Sequence, residues 1–189
     1  MLCFSYWAEL ANRQLRIMPE LISFLKKNEI NNKVVLVAHR ISSDYQHQEL
    51  VLIGVLKGAF IFLSDLMRHL GIPVKIDFVG VSSYGSGTSS TGTIKLIKKI
   101  DIDLTNRDVL VVEDIVDTGL TLAYIVDYLK TLNPKTIKAC ALLDKYERRE
   151  AAIKIDYACH RVAEGFLVGY GLDYNENYRE LPEIYRLKL

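Results

Sequence analysis

The stretch VLVVEDIVDTGLTL, residues 109–122, decides how this chain is read. Four apolar residues run into Glu113 and Asp114, a third carboxylate follows at Asp117, and Thr118, Gly119, Leu120 and Thr121 complete a small, hydroxyl-rich turn. An unbroken apolar run is the pattern of a strand covered on both faces. The residues after the turn, 119–133, carry apolar side chains at helical spacing and stop at Asn133-Pro134. Three acids therefore stand where a buried strand hands over to a helix.

A helix N-terminus exposes backbone N–H groups without partners, and its dipole favours an anion. Thr118 and Thr121 add hydroxyl donors, and Gly119 lets the backbone approach closely. The chain has no GxxxxGK[ST] segment, so the cradle suits a phosphate monoester better than a nucleoside triphosphate. Carboxylates beside such a cradle repel a bare phosphate and must face another part of the ligand. Glu113 and Asp114 can accept from vicinal hydroxyls or hold Mg²⁺ through water. A phosphate next to a diol is a ribose 5-phosphate. The plainer alternative makes Asp117 and Thr118 helix caps and Glu113-Asp114 a solvated strand end, although a cap needs one acid rather than three.

Outward from this turn the pattern repeats. Residues 49–56 and 74–84 read as strands, with an amphipathic helix over 57–71 between them. Segments 94–100, 136–144, 154–160 and 165–171 read as further strands, and 173–184 as polar and turn-like. The stretch 33–41 is ambiguous: its β-branched content favours a strand and its continuation a helix. Residues 6–27 place Trp7, Leu10, Leu15, Met18, Ile22 and Leu25 at helical spacing, with Pro19 dividing two pieces and Asn31-Asn32 as a break. Alternating strands and helices predict an α/β fold, a mainly parallel twisted open sheet with helices on both faces. Ligands bind beyond the carboxyl ends of such strands.

Bulk properties narrow the function classes. The 189 residues fit one domain, and a net charge of +1 gives no reason to expect nucleic acid or an anionic membrane as partner. Cys3, Cys140 and Cys159 show no CxxC spacing, and the four histidines form no zinc pattern. The first sixteen residues carry no basic leader and their apolar run is broken by Glu9, Asn12 and Arg13, so a cytoplasmic protein is expected.

The 109–122 stretch resembles the phosphoribosyl-diphosphate motif of the type I phosphoribosyltransferases. GVLKGAFIFLSDL (54–66), VSSYGSG (81–87), ALLDKYERRE (141–150) and GFLVGYGLDYNENYREL (165–181) resemble the hypoxanthine-guanine branch. The resemblance covers roughly residues 31–189 and leaves 1–30 as an N-terminal helical extension. It implies a small hood subdomain, a helix over 33–45, and a homodimer or homotetramer. It also implies the reaction: a 6-oxopurine, hypoxanthine or guanine, and phosphoribosyl diphosphate give a purine nucleotide and diphosphate, with Mg²⁺.

Residue roles follow from the same likeness. Asp117, Thr118, Gly119, Leu120 and Thr121 form the 5-phosphate loop, and Glu113 and Asp114 face the ribose hydroxyls and metal. Asp117 doubles as the base toward the purine. Leu56, Lys57 and Gly58 resemble the diphosphate loop, where relatives carry a non-proline cis peptide. Lys145 donates to the 6-oxo group, Phe166 stacks on the base and Leu167 reads its edge through the backbone. Asp173 helps to organise a second metal, and Arg179 meets the diphosphate. Ser83 and Tyr84 begin the catalytic loop, whose GSGTSSTG composition suits a lid. Tyr146 in place of a frequent proline, Leu167 in place of a usual valine, and the missing acid in 88–93 leave the base preference open. A regulatory module that senses the phosphoribosyl ligand is the competing reading; Lys145, Phe166 and Asp173 argue against it, because a sensor has no need of a purine pocket.

Overall fold

The structure is a computed structural model that describes residues 19–83 and 94–188. In chain order it contains β1 (Glu20–Leu25), α1 (Lys27–Asp44), β2 (Leu50–Leu56), α2 (Phe60–His69), β3 (Val74–Ser83) and β4 (Ile94–Lys98). There follow β5 (Asp108–Val116), α3 (Leu120–Lys130), β6 (Thr136–Lys145), β7 (Tyr157–Val162), β8 (Leu167–Val168) and β9 (Ile184–Lys188). Six strands form one sheet in the order β4-β3-β2-β5-β6-β7, parallel throughout except for the β3–β4 pair.

The period of two along each strand divides the core. Leu50 and Leu52 of β2, Leu110 and Val112 of β5, and Cys140 and Leu142 of β6 pack beneath α1 and α2. Their neighbours Val51, Ile53, Val109, Val111, Ala139 and Ala141 face the opposite way, against Leu122, Ile125 and Leu129 of α3. Burial on both sides is why these strands read as continuous apolar runs. The expected α/β sheet with helices on both faces is what the chain builds.

Three elements differ from the sequence reading. Glu20–Leu25, expected as part of a helix, is a strand: it pairs antiparallel with β9, and residues at helical spacing there serve a short strand equally well. Asn31-Asn32 does not break the chain but lies inside α1, whose buried face of Ile30, Val34, Val37, Ala38 and Ile41 runs straight through it. Segment 165–171 pairs with β9 only at Leu167–Val168, because Gly165, Gly169, Tyr170 and Gly171 take positive φ and end the ladder. With β9, unforeseen in sequence, these segments make a second, three-stranded sheet in the order β1-β9-β8. The expected helix over 33–45 is present within α1. Residues 1–18 of the expected extension, and Tyr84 and the rest of the expected lid (84–93), lie outside the described residues; Ser83 ends β3 opposite Ile94.

Candidate active site

Strand register assembles the centre. In the parallel β5–β6 pair Val116 lies opposite Asp144, so the next residues, Asp117 and Lys145, emerge side by side at the carboxyl end of the sheet. The Lys145 ammonium lies 3.1 Å from Asp117 Oδ2, and Lys145 is buried. Arg148 approaches the same oxygen at 3.5 Å from the solvent side. The other carboxylate oxygen, Oδ1, is buried without a partner.

The junction into α3 settles what Asp117 is not. The N-cap of α3 is Gly119, at φ +81° and with no side-chain capping bond; the helix ladder opens with Ala123 N–H donating to Gly119 O at 2.9 Å. Leu120 N–H reaches only Thr118 Oγ1, at 3.4 Å. Asp117 is therefore not a helix cap. A cavity of about 120 Å³ opens here, lined by Glu113, Asp117, Thr118, Gly119, Thr121 and Leu122. Leu120 begins the helix beside it without lining it. The loop is clasped from behind: Glu150 and Ala151 N–H both donate to Thr118 O, at 2.9 and 3.0 Å. A Cβ on Gly119 would press on Ile153 and Arg149, at 2.9 and 3.0 Å.

The second half of the site comes from the β2–α2 loop and the 171–179 segment. The Leu56–Lys57 peptide is cis, as the resemblance implied. A side chain on Gly58 would collide with the Asp114 carboxylate, and one on Gly171 with the Gly58 carbonyl. Arg179 donates to Gly171 O at 2.7 Å and pairs with Asp173 at 2.8 Å. Asp173 also accepts from Glu176 N–H at 2.9 Å, and Glu176 reaches Lys57 at 3.0 Å. Lys57, Gly58, Asp114, Asp173 and Arg179 are thus joined in one connected group. Arg179 Nε is buried without a partner, an unused donor in a place expected to meet an anion. Phe166, 46% exposed, presents its ring beside Tyr174 in an edge-on contact of 5.3 Å, while Leu167 is buried in β8.

Electrostatics set the acidic pair apart. Burial, and next the charge of Asp114, push the Glu113 carboxyl well above its ordinary range. Burial also raises Asp114, against hydrogen bonding with Glu113 and the Ile115 N–H and against the Arg179 charge. Glu113 Oε2 is buried without a partner. Two crowded carboxyls with an orphaned oxygen fit a divalent cation or hydroxyl donors. Among the described residues no three His, Cys, Asp or Glu side chains gather to hold a metal. Glu113 and Asp114 fit Mg²⁺, since that ion keeps most of its water and takes one or two protein carboxylates. Asp173, expected to serve a second metal, has its carboxylate engaged by Arg179 and the Glu176 amide.

Three contributors escaped the sequence reading. Gly171 and Glu176 lie in a polar stretch whose folding back onto Lys57 and Gly58 no local pattern announces. Arg149 is the third: its guanidinium acts on main-chain carbonyls, which carry no sequence signature.

A mainly parallel sheet carrying a small polar cavity, a buried acidic pair and an Asp–Lys pair at its carboxyl edge defines a class, and comparison with known proteins agrees. The phosphoribosyl transferase domain model matches residues 23–175. The hypoxanthine-guanine phosphoribosyltransferase of Aquifex aeolicus (strain VF5) is 44% identical over 181 residues, covering 95% of this chain and 98% of that protein. The crystal structure of a hypoxanthine-guanine phosphoribosyltransferase from Bacillus anthracis, with a HEPES molecule in its active site, superposes with a TM-score of 0.84 at 43% identity, covering 88% of this chain and 99% of that one. A hypoxanthine phosphoribosyl transferase of Trypanosoma cruzi, studied for the role of its C-terminal region in oligomeric state and enzymatic activity, gives 0.82 at 40% identity, over 88% of this chain and 90% of that one. The chain belongs to the hypoxanthine-guanine phosphoribosyltransferase family.

Proposed function

We propose that this enzyme transfers the 5-phosphoribosyl group of phosphoribosyl diphosphate to hypoxanthine or guanine, releasing diphosphate, with Asp117 as the base and Lys145 as the group that selects the purine. The observation that carries the reading is the Asp117–Lys145 pair: a half-buried carboxylate that caps nothing, has one buried oxygen without a partner, and stands at the mouth of the phosphate cradle. The free N–H groups of the first turn of α3, with Thr118 and Thr121, hold the 5-phosphate. Glu113 and Asp114 receive the ribose hydroxyls and, in the loaded enzyme, Mg²⁺, which neutralises charge on the diphosphate.

As the bond from the purine nitrogen to the anomeric carbon forms, the bond from that carbon to diphosphate breaks and the leaving group takes the electron pair. Asp117 receives the proton shed by the purine. Lys57, the Gly58 backbone and Arg179 meet the negative charge that grows on the leaving group, and preformed donors of this kind act only where charge develops. Lys145 donates to the 6-oxo group; adenine offers an amino donor there and leaves both groups unsatisfied. Phe166 covers the base, and Leu167 meets its edge through the backbone. Asp173 holds Arg179 in place and is the remaining candidate to assist a metal. Ser83 and Tyr84 are assigned to the catalytic loop on resemblance alone.

We assign the small β1-β9-β8 sheet to the hood. The domain is taken to run over 31–189 with 1–30 as an extension, although β1 makes the end of that extension part of the small sheet. The working state is a homodimer or homotetramer in the cytoplasm; no described helix is long and apolar enough to cross a membrane. The direct test is an assay with hypoxanthine, guanine, xanthine and adenine, with and without Mg²⁺. Turnover of hypoxanthine and guanine that vanishes on chelation is the expected result. Binding of phosphoribosyl diphosphate with no turnover of any purine would mark a sensor instead.

A further inference from the structure

Arg149 has no place in the chemistry above, yet its guanidinium is the most connected side chain near the site. Nε donates to the Asp117 carbonyl at 3.0 Å. One terminal nitrogen, NH2, lies 3.2 Å from the Val116 carbonyl, 3.2 Å from the Lys145 carbonyl and 2.7 Å from Asp144 Oδ1. The side chain is only 21% exposed. Asp144, which anchors the guanidinium, is held in turn by Arg161 at 3.3 Å.

These partners are not scattered. Val116 closes β5 with Asp117 next after it, and Asp144 and Lys145 close β6; the ladder between the two strands stops at Val116 and Asp144. Lys145 still pairs with Val162 of β7, but the β5–β6 ladder that would place Asp117 and Lys145 relative to each other has ended. We propose that Arg149 is a positioning residue: one planar guanidinium takes over from the ended ladder and sets the separation of the Asp117 base and the Lys145 donor. The proposal rests on the roles assigned to those two residues under the proposed function.

The geometry requires arginine. A guanidinium presents several N–H groups in a rigid plane and can bond carbonyls on two strands and a carboxylate together. A lysine ammonium is a point on a flexible stem and cannot hold that spread of acceptors in one orientation. The clamp also bears unequally on the two substrates. The phosphate cradle keeps its own main-chain hold, Glu150 and Ala151 N–H on Thr118 O, and the packing of α3, while the Arg149 side chain bonds only its first residue, at Asp117 O, and lies against Gly119. Loss of the guanidinium therefore acts on kcat and on the purine, and leaves the KM for phosphoribosyl diphosphate nearly alone.

The test compares Arg149→Ala and Arg149→Lys with the parent, with fold checked by circular dichroism and thermal melting. Misplacement of reacting groups by about 1 Å costs on the order of 10²-fold, so single-turnover rates are expected to fall by about that factor in both variants. The KM for phosphoribosyl diphosphate should change less than about threefold, and millimolar methylguanidine should restore at least about a tenth of the parent rate to Arg149→Ala. A lysine variant within a few-fold of the parent would overturn the proposal, since charge alone would suffice. So would a raised phosphoribosyl diphosphate KM with kcat kept, or a folded Arg149→Ala enzyme that methylguanidine does not rescue. Should Arg149→Ala fail to fold, the Arg149→Lys rate and the KM split carry the test. Failure of the underlying reading is separable: it would show as an active Asp117→Asn enzyme, whatever Arg149 does.

Discussion

At the scale of single residues, Asp117 carries the sharpest expectation. Its carboxylate accepts no N–H from α3, so Asp117→Asn removes the proposed base without removing a cap. The variant should fold like the parent and lose about 10²–10⁴ in the chemical step, the contribution of a positioned general base. The rate must be read in a single turnover, because product release masks chemistry in many enzymes that close over substrate. A single-turnover rate within a few-fold of the parent's would send the proton elsewhere. Lys145→Ala should weaken use of hypoxanthine and guanine by a factor on the order of 10², leaving phosphoribosyl diphosphate binding close to the parent's. Isothermal titration with that ligand and steady-state purine kinetics separate the two effects. The acids and the hydroxyl turn were legible in sequence because a contiguous loop carries them; the pairing of Asp117 with Lys145, 28 positions away, was not.

At the scale of elements, Asp77 shows how one buried acid organises a strand connection. One of its oxygens accepts from Phe78 N–H at 2.7 Å and from Lys98 at 3.0 Å; the other accepts from Asp101 and Ile102 N–H at 2.6 and 3.1 Å. Burial alone would raise this carboxyl, but the hydrogen bonds from Asp101, Lys98, Phe78 and Ile102 outweigh it and hold it below its ordinary value of 3.8. A folded pKa below the unfolded one means that the unfolded chain binds more protons as the acid titrates. The stabilisation is therefore full above about pH 3.8 and is lost as pH falls through the lowered value. Asp77→Ala should cost about 1–3 kcal/mol at pH 7 by leaving buried donors unmatched. Urea unfolding at pH 7 and again below pH 3.8 should show the gap between variant and parent closing; an unchanged gap would mean that charge is not involved. The long apolar strands were legible because burial on both faces leaves no alternative. β1 and β9 were not, since five or six residues fit either period until a partner strand chooses.

At the scale of the whole molecule, the site joins two sheets. The large one supplies Glu113, Asp114, Asp117 and Lys145; the small one lies beside Phe166 and leads into the 169–179 segment that returns to Gly58. Ile184, fully buried, ties β9 to Leu25 of β1 and into the core beneath α1. Ile184→Ala should cost about 2–5 kcal/mol, as for a large core side chain cut back to Ala. Because Phe166 O accepts from Leu187 N–H at 2.8 Å on the same ladder, loosening β9 should also raise the purine KM while the phosphoribosyl diphosphate KM holds. Parallel movement of both constants would show that the small sheet supports the site as a whole rather than its purine side.

By itself the sequence determined the α/β class, the hydroxyl-rich turn and the acidic pair. Each of these depends on groups a few residues apart, where backbone geometry and hydrophobic period act directly. Only the tertiary structure decided that Asp117 faces Lys145 rather than capping α3, that the 171–179 segment folds back on Gly58, and that Arg149 bridges the ends of β5 and β6. Those facts depend on strand register and on bonds to main-chain carbonyls. Every residue type offers the same carbonyl, so no sequence marks which one will be used until the strands are in place.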